Sequence, residues 1–180
     1  MGGLIVFAVA SLGIVFISWK SLSKPQSHGF YRFFAFELLL ILLLRNIGYW
    51  FEAPFSVQQL ISWVLLSASF FLAIHGFYLL RVIGKPQAAV PGSSDLGFEN
   101  TANLVTIGAY RYIRHPLYAS LLLVAWGIFF KQTTWLSGSL ALGISAFLIL
   151  TARAEEKENL ERFGEEYSRY RKSTGMFIPG

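Results

Sequence analysis

Apolar residues form five stretches along the chain, and the segments between them hold most of the charge. A transmembrane helix needs roughly 20 apolar residues, within a working range of about 17 to 25. We predict a helix in every stretch, and the fourth is unusually short for a membrane span. The stretches cover residues 3–19, 33–51, 60–80, 117–130 and 135–152.

Composition supports placing these helices in lipid. Hydrophobic residues make up 54% of the 180 residues and charged residues only 14%, against about 25% charged residues in an ordinary soluble domain. We therefore predict an all-α integral membrane protein with five transmembrane helices and one structural domain. Within it, residues 1–80 form a three-span region, and residues 81–180 hold a loop, a transmembrane hairpin and a C-terminal helix.

The basic residues predict how the chain is oriented. Lys and Arg in short loops stay on the cytoplasmic side, and thirteen of the fifteen basic residues follow the first, third or fifth stretch. This pattern predicts an N-terminus outside and a cytoplasmic C-terminal helix, in a bacterial or archaeal inner membrane or an endomembrane. Attraction to anionic headgroups accounts for the net charge of +5, so no nucleic acid partner is needed.

Residue types exclude several kinds of chemistry. The chain has no cysteine, which removes disulfides, thiolate metal sites and cysteine nucleophiles. His28, His75 and His115 lie far apart, without metal-ligand spacing, so we expect no metal site. The sequence does not indicate an oligomeric state.

Two polar segments on the predicted cytoplasmic side hold the unusual chemistry. One is the loop 81–116, with Pro86, Pro91 and Gly92 as breakers. The other is the tail 153–172, rich in helix formers and mixed charges. Its apolar residues recur at spacings of three and four, which predicts a helix with one apolar face.

Aromatic and cationic residues crowd the start of the fourth stretch, where Pro116 suits the first helical position. The crowded residues are Tyr110, Arg111, Tyr112, Arg114, His115 and Tyr118. An ordinary interfacial belt of aromatic residues and snorkelling cations is the alternative interpretation. The short connection 131–134 makes the fourth and fifth helices an antiparallel hairpin, so His115 should face Glu155 and Glu156. Because the fourth helix is short, we expect His115 to be recessed in a cleft at the membrane surface.

Such a cleft suits a zwitterionic ligand with an aromatic base. Carboxylates can accept from hydroxyl or ammonium groups, arginine can hold a carboxylate, and tyrosines can stack on a base or face a cation. Methyl transfer by in-line displacement needs mainly proximity, alignment and exclusion of water. The residues present are compatible with that reaction.

Two motifs carry a resemblance to a known family. Arg114-His115-Pro116-Leu117-Tyr118 resembles an R-H-P-x-Y signature, and the tail has Glu155-Glu156 followed by F-G-E-E-Y-x-x-Y at 163–170. With the lead-in at 104–112, these motifs resemble the isoprenylcysteine carboxyl methyltransferase and phospholipid methyltransferase superfamily. Two positions depart from its pattern: Ala109 stands where proline is frequent, and Ser120 where glycine is usual. Serine is still small, so close helix packing is retained.

The resemblance implies S-adenosyl-L-methionine as the cofactor and a membrane-resident, lipid-like or lipidated acceptor. We predict Arg153, Glu156 and His115 as the catalytic residues. Arg153 precedes Glu156 by three residues and so lies on nearly the same helical face, where we expect it to orient the acceptor. The cofactor-binding residues that the resemblance implies are Gly108, Tyr110, Tyr112, Arg114, His115, Pro116, Tyr118, Glu155 and Glu156.

Glu37 and His75 lie at matching depths in the second and third stretches. Ionisable groups inside a membrane are functional candidates, so the pair could line an acceptor cavity. A structural hydrogen bond between two helices is the alternative.

The predicted function is therefore methyl transfer to an amphiphilic acceptor, such as an isoprenylcysteine-type carboxylate, at the cytoplasmic membrane face. A phospholipid-headgroup N-methyltransferase is an alternative. So is a membrane sterol-type reductase, which would need NADPH. A non-catalytic scaffold is the third class. The identity of the acceptor stays open at this point.

Overall fold

The computed structural model describes residues 2–87, 96 and 99–180. Five long helices account for most of them: α1 (Gly2–Leu22), α2 (His28–Asn46), α3 (Val57–Leu79), α4 (Pro116–Phe129) and α5 (Trp135–Lys172). The described residues contain only two isolated β-bridges and no strand. The predicted all-α class is therefore confirmed. Pro91 and Gly92, which we named as loop breakers, lie outside the described residues.

Local sequence sets where the helices begin. Ser27, Ser56 and Thr134 are the N-caps of α2, α3 and α5, and each side chain accepts a hydrogen bond from a backbone N–H in the first turn. Pro116 begins α4, because a proline at the first helical position loses no hydrogen bond there. At its other end α3 continues into a π-helical turn, Leu80–Gly84.

The helices pack so that α5 lies between α2 and α4, with α1 on α2 and α3 on α4. Large side chains such as Leu42, Ile128 and Ile144 are almost completely buried between them. Small residues allow close approach: Ser62 Oγ donates to the Gly127 carbonyl at 2.7 Å, and Ser69 Oγ donates to the Ser120 carbonyl at 2.9 Å. Ser120 therefore still permits tight packing of α4 on α3.

The outer surface of the bundle is apolar, as expected of a protein in lipid. Phe16 on α1 is 83% exposed and Phe71 on α3 is 70% exposed. Three helices are long and apolar enough to cross a membrane, α1, α5 and α3 with its π-helical turn, among the residues that the structure describes. The α2 helix carries Arg32, Glu37 and Arg45, and α4 has only 14 residues, so five crossings remain a proposal.

The fifth helix is not one continuous rod. Gly164 has φ 55° and ψ −127°, which interrupts the helical backbone between the apolar half of α5 and its last turns. The tail, which we predicted as a single helix, is therefore kinked. Helix-forming residues on both sides of Gly164 hide this break in the sequence.

Candidate active site at the α4–α5 hairpin

The signature residues lie at the N-terminus of α4. His115 is the N-cap residue, and its carbonyl accepts from the Ala119 N–H at 2.9 Å. The imidazole is buried and stacks on the Tyr118 ring, with centroids 5.5 Å apart and an interplanar angle of 14°. The residue before a proline avoids helical backbone geometry, so Pro116 fixes the direction in which His115 leaves the helix.

The hairpin brings His115 to the acidic pair of α5. Its Nδ1 lies 3.8 Å from Glu155 Oε2, and its Nε2 lies 3.5 Å from Glu156 Oε1. The imidazole therefore reaches both carboxylates from a buried position in the cleft, and its depth relative to the two glutamates stays a prediction. Glutamate side chains are long enough to close the gap that backbone rise predicts.

Arg114 forms an ion pair with Glu156. Its Nε donates to Glu156 Oε1 at 2.7 Å, and both side chains are mostly buried. Burial alone would raise the pKa of Glu156, but His115 and Arg114 together hold it below its ordinary value. Glu156 is therefore an ionised partner of Arg114, while Glu155 stays on the cleft side of His115.

The residues after α5 fold back onto this site. The Arg114 N–H donates to the Gly175 carbonyl at 2.9 Å, and the His115 N–H donates to the Met176 carbonyl at 3.2 Å. Arg114 Nη1 also donates to the carbonyls of Arg171 and Thr174. The segment 173–177 thus fixes the backbone of the signature from the side opposite α4.

A cleft of about 580 Å³, including the part open to solvent, lies between the loop and the polar half of α5. The lining combines acidic, phenolic and apolar groups. Its residues are Leu80, Glu99, Thr101, Leu104, Val105, Tyr110, Arg114, His115, Leu117, Tyr118, Glu155, Asn159, Tyr167 and Tyr170.

Three polar atoms of this lining are buried without a hydrogen-bond partner among the described residues. They are His115 Nε2, the Tyr118 hydroxyl and the Tyr167 hydroxyl. The contact of His115 Nε2 with Glu156 is long and does not meet hydrogen-bond geometry. Buried polar groups in folded proteins are nearly always paired, so these atoms are available to a ligand.

Glu99 forms the wall contributed by the loop. Arg32 Nη1 donates to Glu99 Oε1, and the Leu96 N–H donates to Glu99 Oε2 at 2.8 Å. His28, at the start of α2, lies 3.5 Å from Glu99 and donates through Nδ1 to Glu158 Oε2 at 2.5 Å. Burial alone would raise the pKa of Glu99, but His28 and Arg32 hold it below its ordinary value. This network ties α2, the loop and α5 together.

The other residues predicted for the site lie outside the cleft lining. Tyr112 is 57% exposed, Arg153 is exposed and Pro116 is buried in the helix start. Gly108 lies under His75: a Cβ there would be 2.6 Å from His75 Nε2, and its φ of +60° also requires glycine. The roles proposed for Arg153 and Tyr112 stay predictions.

Glu37 and His75 each have a partner of their own. Glu37 accepts from Ser11 Oγ at 2.9 Å, which links α1 and α2. His75 Nε2 accepts from the Ala109 N–H at 3.3 Å, which holds the lead-in to the signature. Both contacts have the form of structural hydrogen bonds between elements. An acceptor cavity lined by the pair stays a prediction.

Sequence reasoning did not place several residues of the cleft. Glu99, Asn159, Tyr167 and Tyr170 all line it, although the last two were noted only as part of an apolar face and a family motif. The tyrosines could have been found from their position about three to four turns beyond the acidic pair. Glu99 has no comparable signal, because its partners His28 and Arg32 are about 70 residues away in the sequence.

Comparison with known proteins gives several curated relatives. The chain is 30% identical over 119 residues to methanethiol S-methyltransferase from Pseudomonas deceptionensis, covering 66% of this chain and 42% of that protein. It is 26% identical over 179 residues to methanethiol S-methyltransferase 1 from Bradyrhizobium diazoefficiens, covering 91% and 59%. The Mycobacterium tuberculosis methanethiol S-methyltransferase is 25% identical, over 66% of this chain and 46% of that protein.

The chain thus spans about half the length of these curated relatives. No family model and no solved structure gives a significant match. The relatives and the apolar helices identify an integral membrane protein. These relatives agree with the resemblance of the R-H-P-x-Y and F-G-E-E-Y-x-x-Y motifs to the isoprenylcysteine carboxyl methyltransferase-like group of integral membrane methyltransferases.

Proposed function

We propose that this protein is an S-adenosyl-L-methionine-dependent methyltransferase whose cofactor binds in the α4–α5 cleft. The observation that carries the proposal is the set of buried, unpartnered polar atoms on His115, Tyr118 and Tyr167, which converge on one cleft beside Glu155. A structural polar cluster would be paired within the protein. The methyltransferase names of the relatives support the same assignment.

The lining suits the parts of this cofactor. When bound, the cofactor supplies an electrophilic methyl group on a cationic sulfonium. Glu155 places negative charge on the cleft wall, whereas Glu99 is already paired with Arg32 and His28. The stacked rings of His115 and Tyr118 offer an aromatic face. Arg114 does not add a free cation, because Glu156 neutralises it. The lining is therefore net acidic, which favours a cationic ligand.

The protein's part in the reaction is mainly positional. Arg114 donates hydrogen bonds to Glu156 and to the carbonyls of Arg171 and Thr174. These bonds fix the backbone next to His115. His115 and Tyr118 then hold the reacting groups in line, and burial of the cleft excludes water.

For the acceptor we propose a small apolar thiol that enters from the bilayer. The relatives are named for methanethiol, and the apolar lining of Leu80, Leu104, Val105 and Leu117 suits a small nonpolar molecule. This assignment replaces the isoprenylcysteine-type carboxylate as our first choice of acceptor. We also propose that all five long helices cross the membrane and that the cleft faces the cytoplasm, as the basic residues predict.

Calorimetry on the purified protein in detergent tests the cofactor assignment. We expect S-adenosyl-L-methionine to bind, NADPH not to compete with it, and Glu155→Gln and His115→Ala to lose most of the affinity. Glu161→Gln is the matched control, because Glu161 is exposed on the same helix outside the cleft lining. Folded protein that binds NADPH and not the methyl donor would show that the reductase alternative is correct.

The acceptor is tested separately with a methyl-labelled cofactor. Labelled product should form with methanethiol or a short alkyl thiol, and not with a prenylated cysteine carboxylate or a phosphatidylethanolamine vesicle. Labelling of either of the last two, with none of the thiols, would overturn the thiol proposal and leave methyl transfer intact.

A further inference from the structure

Two tyrosines near the end of α5 differ in how their hydroxyls are used. Tyr170 donates its hydroxyl to the Tyr110 carbonyl at 2.5 Å, which ties the tail to the loop. Tyr167 is only 2% exposed, yet its hydroxyl has no hydrogen-bond partner among the described residues. The Asn159 amide is close enough to influence this hydroxyl but does not meet hydrogen-bond geometry. The two rings themselves are in edge-to-face contact, 5.9 Å apart.

An unpartnered buried hydroxyl is a cost to the folded protein. Leaving such a group unpaired costs about 1–3 kcal/mol, which phenylalanine at the same position would avoid. Tyr167 lines the same cleft as Glu155 and Asn159, which are four residues apart and so share one helical face. A ligand in the cleft is therefore the natural partner for the hydroxyl.

The hydroxyl can donate to an acceptor atom of such a ligand only while it keeps its proton. Burial, followed by the charges of Glu156 and Glu155, raises the pKa of Tyr167 well above its ordinary value. The phenol therefore remains protonated across the physiological pH range. The Glu155 carboxylate, which lines the same cleft, has the opposite property, since an ionised carboxylate only accepts.

We propose that Tyr167 and Glu155 form the subsite for the ribose diol of the cofactor, with Tyr167 donating to one hydroxyl oxygen and Glu155 accepting from the neighbouring hydroxyl. This inference rests on the proposed function. A donor and an acceptor that line the same cleft match two neighbouring hydroxyls, because each hydroxyl both donates and accepts. His115 and Tyr118 then remain for the other end of the ligand.

Gly164 supports this assignment from the backbone. It lies three residues before Tyr167, and its φ of 55° breaks the helix that carries Glu155 and Asn159. No atom lies within 4 Å of a Cβ built there, so the need for glycine comes from the backbone angle alone. The kink gives the Tyr167 segment a direction independent of the preceding helix.

The experiment compares Tyr167→Phe with Tyr170→Phe, which remove the same atom from neighbouring rings. Each variant is measured for thermal stability without ligand, and for affinity toward S-adenosylhomocysteine and 5′-methylthioadenosine. The second probe keeps adenine and ribose but lacks the amino-acid group. We expect Tyr167→Phe to keep or raise the unfolding temperature. It should weaken the affinity for both probes by a similar factor, roughly three- to tenfold.

Tyr170→Phe should instead lower the unfolding temperature, because it removes a buried hydrogen bond to Tyr110. Unchanged affinity for both probes in Tyr167→Phe overturns the subsite. So does a loss confined to S-adenosylhomocysteine, which would assign the hydroxyl to the amino-acid end. Wild-type protein that binds neither probe overturns the proposed function together with the subsite. If the wild type binds the probes and Tyr167→Phe binds them with the same affinity, only the subsite is overturned.

Discussion

The two ends of α4 each hold a buried polar cluster, and they differ in how completely it is paired. Beyond the C-terminal end, Lys131 Nζ donates to Gln59 Oε1 at 2.9 Å and to the Trp50 carbonyl at 3.3 Å, and lies 3.4 Å from the Trp63 ring centroid. Gln59 Nε2 donates to the carbonyls of Tyr49 and Lys131. We call these residues the lysine cluster, and the polar atoms named here all form hydrogen bonds to other protein groups.

At the N-terminal end, the cleft leaves His115 Nε2 and two tyrosine hydroxyls without protein partners, within the part of the chain described. Burial and charge alone therefore do not distinguish a binding site from a structural support in this protein. What distinguishes the cleft is that its unpaired atoms converge on one cavity; the buried Asn46 Oδ1 also has no partner among the described residues but does not line that cleft. The lysine cluster closes one end of the bundle, and the cleft keeps binding capacity at the other.

The largest effect is expected from Arg114→Met in the cleft. This change leaves the Glu156 carboxylate mostly buried without its cation and frees two carbonyl groups. Breaking a buried ion pair costs about 3–5 kcal/mol, so stability in denaturant and cofactor affinity should fall together. Arg111→Met is the control, because Arg111 is exposed and contacts only the Tyr112 ring in the contacts described. Equal effects of the two changes would contradict the pairing of Arg114.

A smaller effect, on stability alone, is expected from Lys131→Met. The change leaves the Gln59 oxygen and the Trp50 carbonyl without their donor, and each unpaired acceptor costs about 1–3 kcal/mol. Cofactor affinity in calorimetry should match that of the wild type, because the lysine cluster lies at the far end of α4. A Lys131→Met variant that folds but no longer binds the cofactor would contradict a purely structural role for the lysine cluster.

The last prediction concerns a pH dependence that originates at the cleft end. Burial tends to lower the pKa of His28, but Glu158 and Glu99 raise it from 6.5 to about 10. Between these values the folded protein holds a proton that the unfolded chain has lost, so stability falls as pH rises through this window. Unfolding temperatures measured from pH 6.5 to 10 should decline in the wild type and in His75→Gln, and decline less in His28→Gln. An unchanged decline in His28→Gln would assign the slope to other groups.

Much of the fold could be predicted from the sequence, because lipid exposure requires long apolar runs. Each of the five stretches overlaps one of the helices that the structure shows, and the four-residue connection at 131–134 predicts the α4–α5 hairpin. That hairpin also predicts the contact of His115 with Glu155 and Glu156, since an antiparallel pair sets the start of one helix against the end of the other.

The remaining features depend on contacts that local patterns do not encode. The pairing of His115 with the Met176 backbone joins segments about 60 residues apart, and only backbone groups take part. The α5 kink occurs at one glycine inside a run of good helix formers. The different hydroxyl environments of Tyr167 and Tyr170 depend on that kink and on the Tyr110 carbonyl, so identical side chains in one motif could not be separated beforehand.

The length of α4 has a consequence for the lipid around it. Its 14 residues rise about 21 Å, whereas the hydrocarbon layer is about 30 Å thick. On the proposed topology the bilayer beside α4 must thin or admit headgroups, at a cost of fractions of a kcal/mol per Å of mismatch. On that topology we expect the cleft mouth to lie close to the acyl chains of the surrounding lipid. A small apolar molecule dissolved in those chains reaches the cleft by sideways diffusion, without passing through the headgroup layer, and shorter acyl chains reduce the deformation.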